Sequence, residues 1–422
     1  MLPLQSPLDA YRGDLSRFPD RSDFGRSDTV WLLVTHCIHR LTRVKASIRP
    51  ALAETCATAL RDLASSTEIE RAGDDKMEAN LALLQRGLRK LPDRECGDLV
   101  ARALRGMIAP MVDTGAMGLA YSLLGHALLM LASLSPREEG LLLAEQARVS
   151  RLLGDLEQAE ELYDLAAAIG DRDGLLDLTS RAALGKGVVA RVRGNYPRAK
   201  ALFQKGLALA GEGGHDDLTA FAHQGLLIAA TVAGDVDTAL VHGWAAYTHV
   251  FGDRALPAEM LINLSHVCLS AGYPAAALRG FVATLPMTSS HRVQLPALGG
   301  AASAAAQLGN RALIGRISAA VDSLLSRTTF PYESAYVLKS LSSAYAQISE
   351  LDTSEVYRVR ARALAEAGGF FELVHATEAP APARRAPAER RELAKRSFQV
   401  VESLERMEFD DSTLVLATTH SD

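Results

Sequence analysis

Gly154-Asp-Leu-Glu-Gln-Ala159-Glu-Glu-Leu-Tyr163-Asp-Leu-Ala166 is a segment whose pattern predicts a tight turn and then a helix with small and aromatic residues on one face. The pattern recurs with the glycine at three further positions, and an alanine follows each of the four glycines by five residues. The further turn positions are Gly194, Gly234 and Gly272. In three of the four copies an aromatic residue follows the glycine by nine: Tyr163, Phe203 and Phe281.

Turn residues of this kind recur along the chain at a nearly fixed interval. Successive turns are 37 to 42 residues apart, counted over Gly73, Gly115, Gly154, Gly194, Gly234, Gly272, Gly309 and Ser349. A fixed period of this size is typical of stacked supersecondary units. Apolar residues at helical spacing flank the turns, so each repeat is predicted to be a pair of antiparallel helices. Because one pair cannot bury its apolar faces alone, neighbouring pairs must stack.

This pattern resembles tetratricopeptide-type repeats. The resemblance is carried by the Gly-Asp or Gly-Asn turn, the alanine five residues on, the aromatic nine on, and Ala166 twelve on. The period is longer than the usual repeat of about 34 residues, and it is similar to the arrays in bacterial signalling proteins and in the sensor regions of transcription regulators. The resemblance implies an all-α fold: a right-handed α-α superhelix, or solenoid, of about eight antiparallel helix pairs.

The chain is predicted to contain four segments. Residues 1–28 form an irregular leader rich in Pro, Asp, Arg and Ser, and residues 29–65 form N-terminal capping helices. The repeat array covers residues 66–377. Residues 378–422 form a Pro/Ala linker, a short charged helix and a mobile tail, and we expect proteolysis to separate this last segment from a folded core.

Composition restricts the possible function classes. Hydrophobic residues make up 48% and charged residues 23%, so most of the chain should fold, and the net charge of −5 argues against a generic nucleic-acid coat protein. The four cysteines form no Cys-x-x-Cys pair, and the start of the chain has no signal-peptide pattern, which together predict a cytoplasmic protein. Residues 116–134 are almost wholly apolar, but Gly118, Gly125 and His126 interrupt them, so a buried helix is predicted rather than a membrane span.

No catalytic residue, cofactor or metal site is predicted. His36-Cys37-Ile38-His39 groups metal-ligating residue types, but no second pair of ligands has a suitable spacing. Gly185-Lys-Gly187 and Gly211-Glu-Gly-Gly214 lack the spacing of a phosphate-binding loop, and we interpret them as a close helix contact and an inter-repeat loop. No nucleophile elbow is present.

The helix before each turn carries the candidate binding surface. In repeats of the kind this chain resembles, the inner face of that helix lines a concave groove, and residues thirteen, ten, six and three before the turn point into it. Three consecutive repeats place six arginines at these positions: Arg102, Arg105, Arg148, Arg151, Arg181 and Arg191. The next repeats place apolar, aromatic and polar residues there, among them Phe221, Gln224, Ile228 and His266.

These residues predict a binding function. Guanidinium groups pair bidentately with carboxylates, so the first hypothesis is a scaffold or adaptor that holds an acidic peptide segment of another protein in the groove. No nucleic acid or membrane partner is expected. The alternatives are a regulatory sensor array that binds a small ligand or a signalling protein, and an unrecognised enzyme. An open groove would favour the adaptor and a closed ring would favour the sensor, whereas arginines already paired with acidic neighbours would count against the peptide hypothesis.

Overall fold

A computed structural model of the chain describes residues 34, 37–38, 41, 51–56, 58, 75–88, 94–113, 115–130, 134–250, 258–326, 330–378 and 395–406. Within these residues the regular secondary structure is entirely helical, which confirms the all-α repeat fold. The predicted leader, the turn at Gly73, both histidines at 36 and 39, and the C-terminal tail lie outside the described residues.

The described helices alternate with short turns along the chain. Among the described residues, Leu285–Met287 form a 3-10 turn. In chain order the helices are α1 (Asp75–Leu88), α2 (Arg94–Asp113), α3 (Met117–Met130), α4 (Pro136–Leu152), α5 (Leu156–Asp173), α6 (Leu176–Val192), α7 (Tyr196–Gly213), α8 (Asp216–Val232), α9 (Val236–Val250), α10 (Ala258–Ser270), α11 (Pro274–Thr284), α12 (His291–Gln307), α13 (Arg311–Leu325), α14 (Pro331–Gln347), α15 (Leu351–Ala367), α16 (Phe371–Glu378) and α17 (Lys395–Glu405).

The chain divides into two compact units. The first contains residues 1–153 and 161–178, and the second contains residues 154–160 and 179–422. In the first unit α1 packs on α2, and α2 packs on α3 and α4. Helix α3 corresponds to the apolar segment that was predicted to be buried, and its core-facing residues are Met117, Ala120, Leu123, Leu124 and Ala127. Of the helices in the described residues, none combines the length and the apolar character needed to cross a membrane.

The second unit is built from two layers of helices. Helices α8, α10, α12 and α14 each pack against the next even-numbered helix, so that the series ends at α16. We call these five helices, together with α6, the inner layer. Helices α7, α9, α11, α13 and α15 pack beside them as the outer layer. The alternation follows from the repeat, because the two helices of each pair bury different parts of the same apolar seam.

The turns lie where the sequence predicts them. The backbone is left-handed at Gly115, Gly154, Gly194, Gly234, Gly272 and Gly309, and at Ser349, the one such non-glycine residue among those described. Glycine suits this conformation because it has no Cβ. After Gly194, the amide of Asn195 donates to the carbonyl of Ala190 at 2.8 Å, and the Asn195 side chain accepts from the amide of Arg198, so a single turn closes one helix and caps the next.

The small and aromatic positions of the repeat are in the core. Phe203 lies between two glycines of neighbouring helices: a Cβ at Gly187 would lie 2.7 Å from its Cε1, and a Cβ at Gly225 would lie 2.6 Å from its Cδ1. The predicted close helix contact is therefore confirmed at Gly187. The alanines five residues after the turns and the aromatics nine residues after them are all buried: Ala159, Ala199, Ala239, Ala277, Tyr163, Phe203 and Phe281.

Enlarging Ala199 is expected to destabilise the repeat. Because Ala199 is fully buried, Ala199→Leu should force its neighbours apart and lower the free energy of unfolding by about 1–3 kcal/mol. Ala201→Leu is the matched control, since Ala201 is exposed on the same helix. Chemical denaturation of the two variants measures the difference, and equal stabilities would contradict the packing described.

The C-terminal helix packs on the array. Val401 and Leu404 of α17 are buried against α11, and a Cβ at Gly280 would lie 3.3 Å from Leu404 Cδ2. Burial, with a contribution from Glu405, raises the pKa of the neighbouring Cys268 thiol to about 12. The sequence placed this charged helix in a segment separable from the array, whereas in the structure its apolar side completes the core of the second unit.

Candidate functional site

In the first unit the predicted groove arginines face carboxylates. Arg105 Nη2 donates to Glu138 Oε2 at 2.8 Å, and Arg102 Nη2 lies 3.7 Å from the other oxygen of the same carboxylate. Glu138 is buried in the first turn of α4, so a single acidic side chain joins two arginines of α2. Arg148 pairs with Glu145 one turn earlier on its own helix at 3.1 Å.

Arg151 has a different partner. It forms a hydrogen bond with the side chain of Tyr163, which follows Gly154 by nine residues and is buried. Burial raises the pKa of the Tyr163 hydroxyl, and the charge of Arg151 partly opposes this shift. Arg151 therefore has a partner within the first unit.

In the second unit the two remaining arginines also form ion pairs. Arg181 Nη2 lies 3.6 Å from Asp217, and Arg191 Nη1 lies 2.8 Å from Glu372. Five of the six arginines are thus paired with carboxylates. The peptide hypothesis assumed guanidinium groups that repel one another until an anion binds, whereas in the structure these five contact four carboxylates, with Arg102 and Arg105 sharing Glu138.

Arg191 is the centre of a buried polar cluster. Its Nη1 donates to both oxygens of Glu372, at 2.8 and 3.1 Å, and to the hydroxyl of Tyr332 at 2.9 Å. The Tyr332 hydroxyl in turn donates to Glu372 at 3.1 Å, and the guanidinium lies over the Tyr332 ring at 5.5 Å. The Arg191 and Glu372 side chains are each only 14% exposed, so this is a charge-assisted network shielded from water.

The cluster closes the second unit into a ring. Arg191 is in α6 and Glu372 is in α16, 181 residues later in the chain. The backbone takes part as well, since a Cβ at Gly194 would lie 3.6 Å from the amide of Glu372, and a Cβ at Gly154 would lie 3.6 Å from Phe370 Cζ. The first and last helices of the inner layer therefore meet, and we call the Arg191–Tyr332–Glu372 cluster the closure.

A second polar contact lies one turn from the closure on α14. The Tyr336 hydroxyl lies 3.0 Å from His266 Nε2 of α10, and the His266 ring packs edge-on against Phe281. Burial, reinforced by the positive charge of Lys339, lowers the pKa of His266 to about 4. The imidazole is therefore neutral at pH 7. Burial also raises the pKa of Tyr336, so this hydroxyl keeps its proton at pH 7.

Helix α12 has a glycine, Gly299, where the Tyr336 ring passes, and this leaves room for the contact. A Cβ at Gly299 would lie 3.3 Å from Tyr336 Cε1, so a larger residue at this position would push the tyrosine away. The tyrosine therefore reaches across α12 to α10. Two predicted site residues, Arg191 and His266, are in this way linked through Tyr332 and Tyr336, one helical turn apart on α14.

The other predicted inner residues lie on α8. Phe221, Gln224 and Ile228 share one face of this helix by their spacing. Phe221 is 41% exposed, while Ile228 is half-buried against the core of the unit. The inner layer thus presents an accessible aromatic ring in addition to the polar closure.

Sequence reasoning missed Tyr332, Tyr336 and Glu372. Tyr336 and Lys339 precede Ser349 by thirteen and ten residues, so the rule that selected the arginines would have selected them had it been applied to the last turn. Glu372 has no comparable signal, because its role depends on a contact between the two ends of the array.

Comparison with known proteins identifies no family. No protein-family model matches the chain, and no curated protein matches it. Among solved structures, the chain is similar to BtubC (BKLC) from P. vanneervenii, with 19% sequence identity and a TM-score of 0.40 over 49% of this chain and 86% of that one.

Proposed function

We propose that the second unit is a regulatory sensor module, a ring of helical repeats that binds a small organic ligand on its inner layer and couples binding to the closure. The observation that carries the proposal is the buried contact of Arg191 with Glu372 and Tyr332, which joins the first and last inner helices. This proposal develops the sensor alternative, which a closed ring favours over an adaptor with an open groove. The scattered cysteines, three of which are buried, support a cytoplasmic setting.

The closure has the properties of a two-state element. Two charges removed from water contribute little net stability when they are paired, yet losing one partner is strongly unfavourable. Such a contact is either fully formed or absent, and small shifts of the packed helices around it decide which. A ligand that binds the closed ring more tightly than the open ring would shift this equilibrium by the ratio of the two affinities.

The inner layer favours a ligand that combines an aromatic group with a negative charge. Phe221 offers an accessible ring, and Lys339 Nζ lies 5.2 Å from the centre of the Tyr336 ring. An aromatic anion could pack its ring on Phe221 and pair its negative charge with the ammonium group of Lys339.

Binding of 8-anilinonaphthalene-1-sulfonate, an aromatic anion whose fluorescence reports binding, tests the proposal. We expect saturable binding by the full chain, and we expect the variant Phe221→Ser/Lys339→Gln to bind about tenfold more weakly, a loss of about 1.4 kcal/mol. Trp244→Ser is the control, because Trp244 is 56% exposed on the outer-layer helix α9. Weakening by the control alone, or the absence of saturable binding, would contradict an inner-layer site.

Hydrogen exchange measures the coupling. Saturation with the dye should slow amide exchange in α16, since this helix carries Glu372 and is held by the closure. The same measurement on Arg191→Met should show no dye-dependent change in α16. If the dye does not change amide exchange in α16 of the wild type, the inner layer binds the dye but the sensor function is contradicted.

A further inference from the structure

Three histidines lie together on the hairpin of α8 and α9, away from the closure. His223 Nδ1 of α8 is 3.0 Å from His242 Nδ1 of α9, and the His249 ring stacks on His223 with the ring centres 6.0 Å apart. Nδ1 of His249 in turn lies 3.2 Å from Asp216 Oδ1. His223 and His242 are therefore the closest pair. They come from two packed helices, and their Nδ1 atoms face each other.

Both Nδ1 atoms of the pair can act as metal ligands once the proton between them moves to Nε2 of its own ring. Burial, together with His242 and His249, lowers the pKa of His223 to about 4, and burial followed by Lys200 lowers the pKa of His242. Both rings are half-buried and neutral at pH 7, which is the form that binds metals. Two neutral imidazoles whose Nδ1 atoms face each other can share one proton in a hydrogen bond, or they can share a metal ion.

The spacing of the two nitrogens suits a hydrogen bond and is also close to what a shared metal ion needs. Nitrogen ligands lie about 2.0–2.1 Å from zinc, so two of them on a tetrahedral ion are about 3.3 Å apart. The observed 3.0 Å is within a few tenths of an ångström of that separation, so a small adjustment of the rings would admit the ion. Nearby charges oppose one another, since Lys200 disfavours and Asp235 favours added positive charge at His242.

We propose that His223 and His242 form a two-histidine chelate for a divalent transition-metal ion of the zinc, nickel or copper class. Imidazole suits these ions, and solvent would fill their other coordination positions. Within the part of the chain that the structure describes, no three or more His, Cys, Asp or Glu side chains form a metal site. The described part of the chain therefore supplies two ligands, which is the arrangement of an open, exchangeable site rather than of a closed structural one.

Electron paramagnetic resonance of the full chain with one equivalent of Cu²⁺ at pH 7.5 tests the proposal. We expect hyperfine coupling to two imidazole nitrogens in the wild type, and loss of one of them in both His223→Gln and His242→Gln. His375→Gln is the matched control, since His375 is exposed and pairs with Glu378 elsewhere in the second unit. It should leave the spectrum unchanged.

Competition with Zn²⁺ gives a second readout that needs no variant. A large excess of Zn²⁺ should reduce the two-nitrogen copper signal, because both ions would occupy the same pair. The large excess is needed because Cu²⁺ binds nitrogen ligands more tightly than Zn²⁺. A wild-type spectrum without two coupled nitrogens would overturn the proposal and leave the pair as an N–H···N hydrogen bond. The same conclusion follows if both histidine variants retain the wild-type spectrum.

Discussion

Arg191→Met is expected to lower the free energy of unfolding by about 3–5 kcal/mol, because it leaves the Glu372 carboxylate shielded from water without its cation. Both side chains are 14% exposed, so solvent screens their interaction only weakly. The Tyr332 hydroxyl would remain as a donor, but a neutral donor does not balance the charge. Urea denaturation followed by circular dichroism measures the change as a lower midpoint.

Two further variants identify the origin of the effect. Arg191→Met/Glu372→Leu should recover most of the lost stability, since removing both charges leaves none uncompensated. Arg198→Met is the exposed control: Arg198 pairs with Glu160 and is 46% exposed, so its loss should change stability by about 0–1 kcal/mol. If Arg191→Met and Arg198→Met destabilise the chain equally, the closure does not hold the ring together.

The turns and the small core positions could be predicted from sequence because their causes are local. A left-handed backbone favours glycine wherever it occurs, so Gly115 to Gly309 mark the turns without any knowledge of the tertiary fold. Two further left-handed glycines, Gly174 and Gly214, lie between repeats, midway between the turns that define the period. The buried alanines follow from the same register, since their distance from the turn fixes the face on which they lie.

The contacts of the candidate site residues were predicted less well because their partners are distant in sequence. The pairing of Arg105 with Glu138 and of Arg191 with Glu372 depends on which helices meet, and helical periodicity does not contain that information. Ring closure is the extreme case, because small rotations accumulate over successive repeats before the ends meet. The His223–His242 pair was missed for a related reason: residues 19 apart on two helices form no linear motif.

The packing of Phe203 gives the largest effect expected in the outer layer. Phe203 is buried between α6 and α8, and the glycines on either side leave no side chain of their own to fill the space if the ring is removed. Phe203→Ala should therefore lower the free energy of unfolding by about 3–5 kcal/mol. Phe221→Ala is the matched control, since this ring is 41% exposed and its removal creates no cavity.

A substitution at Gly225 tests whether the Phe203 ring fills the space between α6 and α8. A Cβ at this position would lie 2.6 Å from Phe203 Cδ1, so Gly225→Ala should destabilise the wild type by about 1–3 kcal/mol through overpacking. In a Phe203→Leu background the added methyl group enters space that the ring has vacated, so the same substitution should be less damaging. Denaturation of the two single variants and the double variant gives the coupling energy. Additive effects would mean that the ring does not occupy the space between the two glycines, and that another residue sets the distance between α6 and α8.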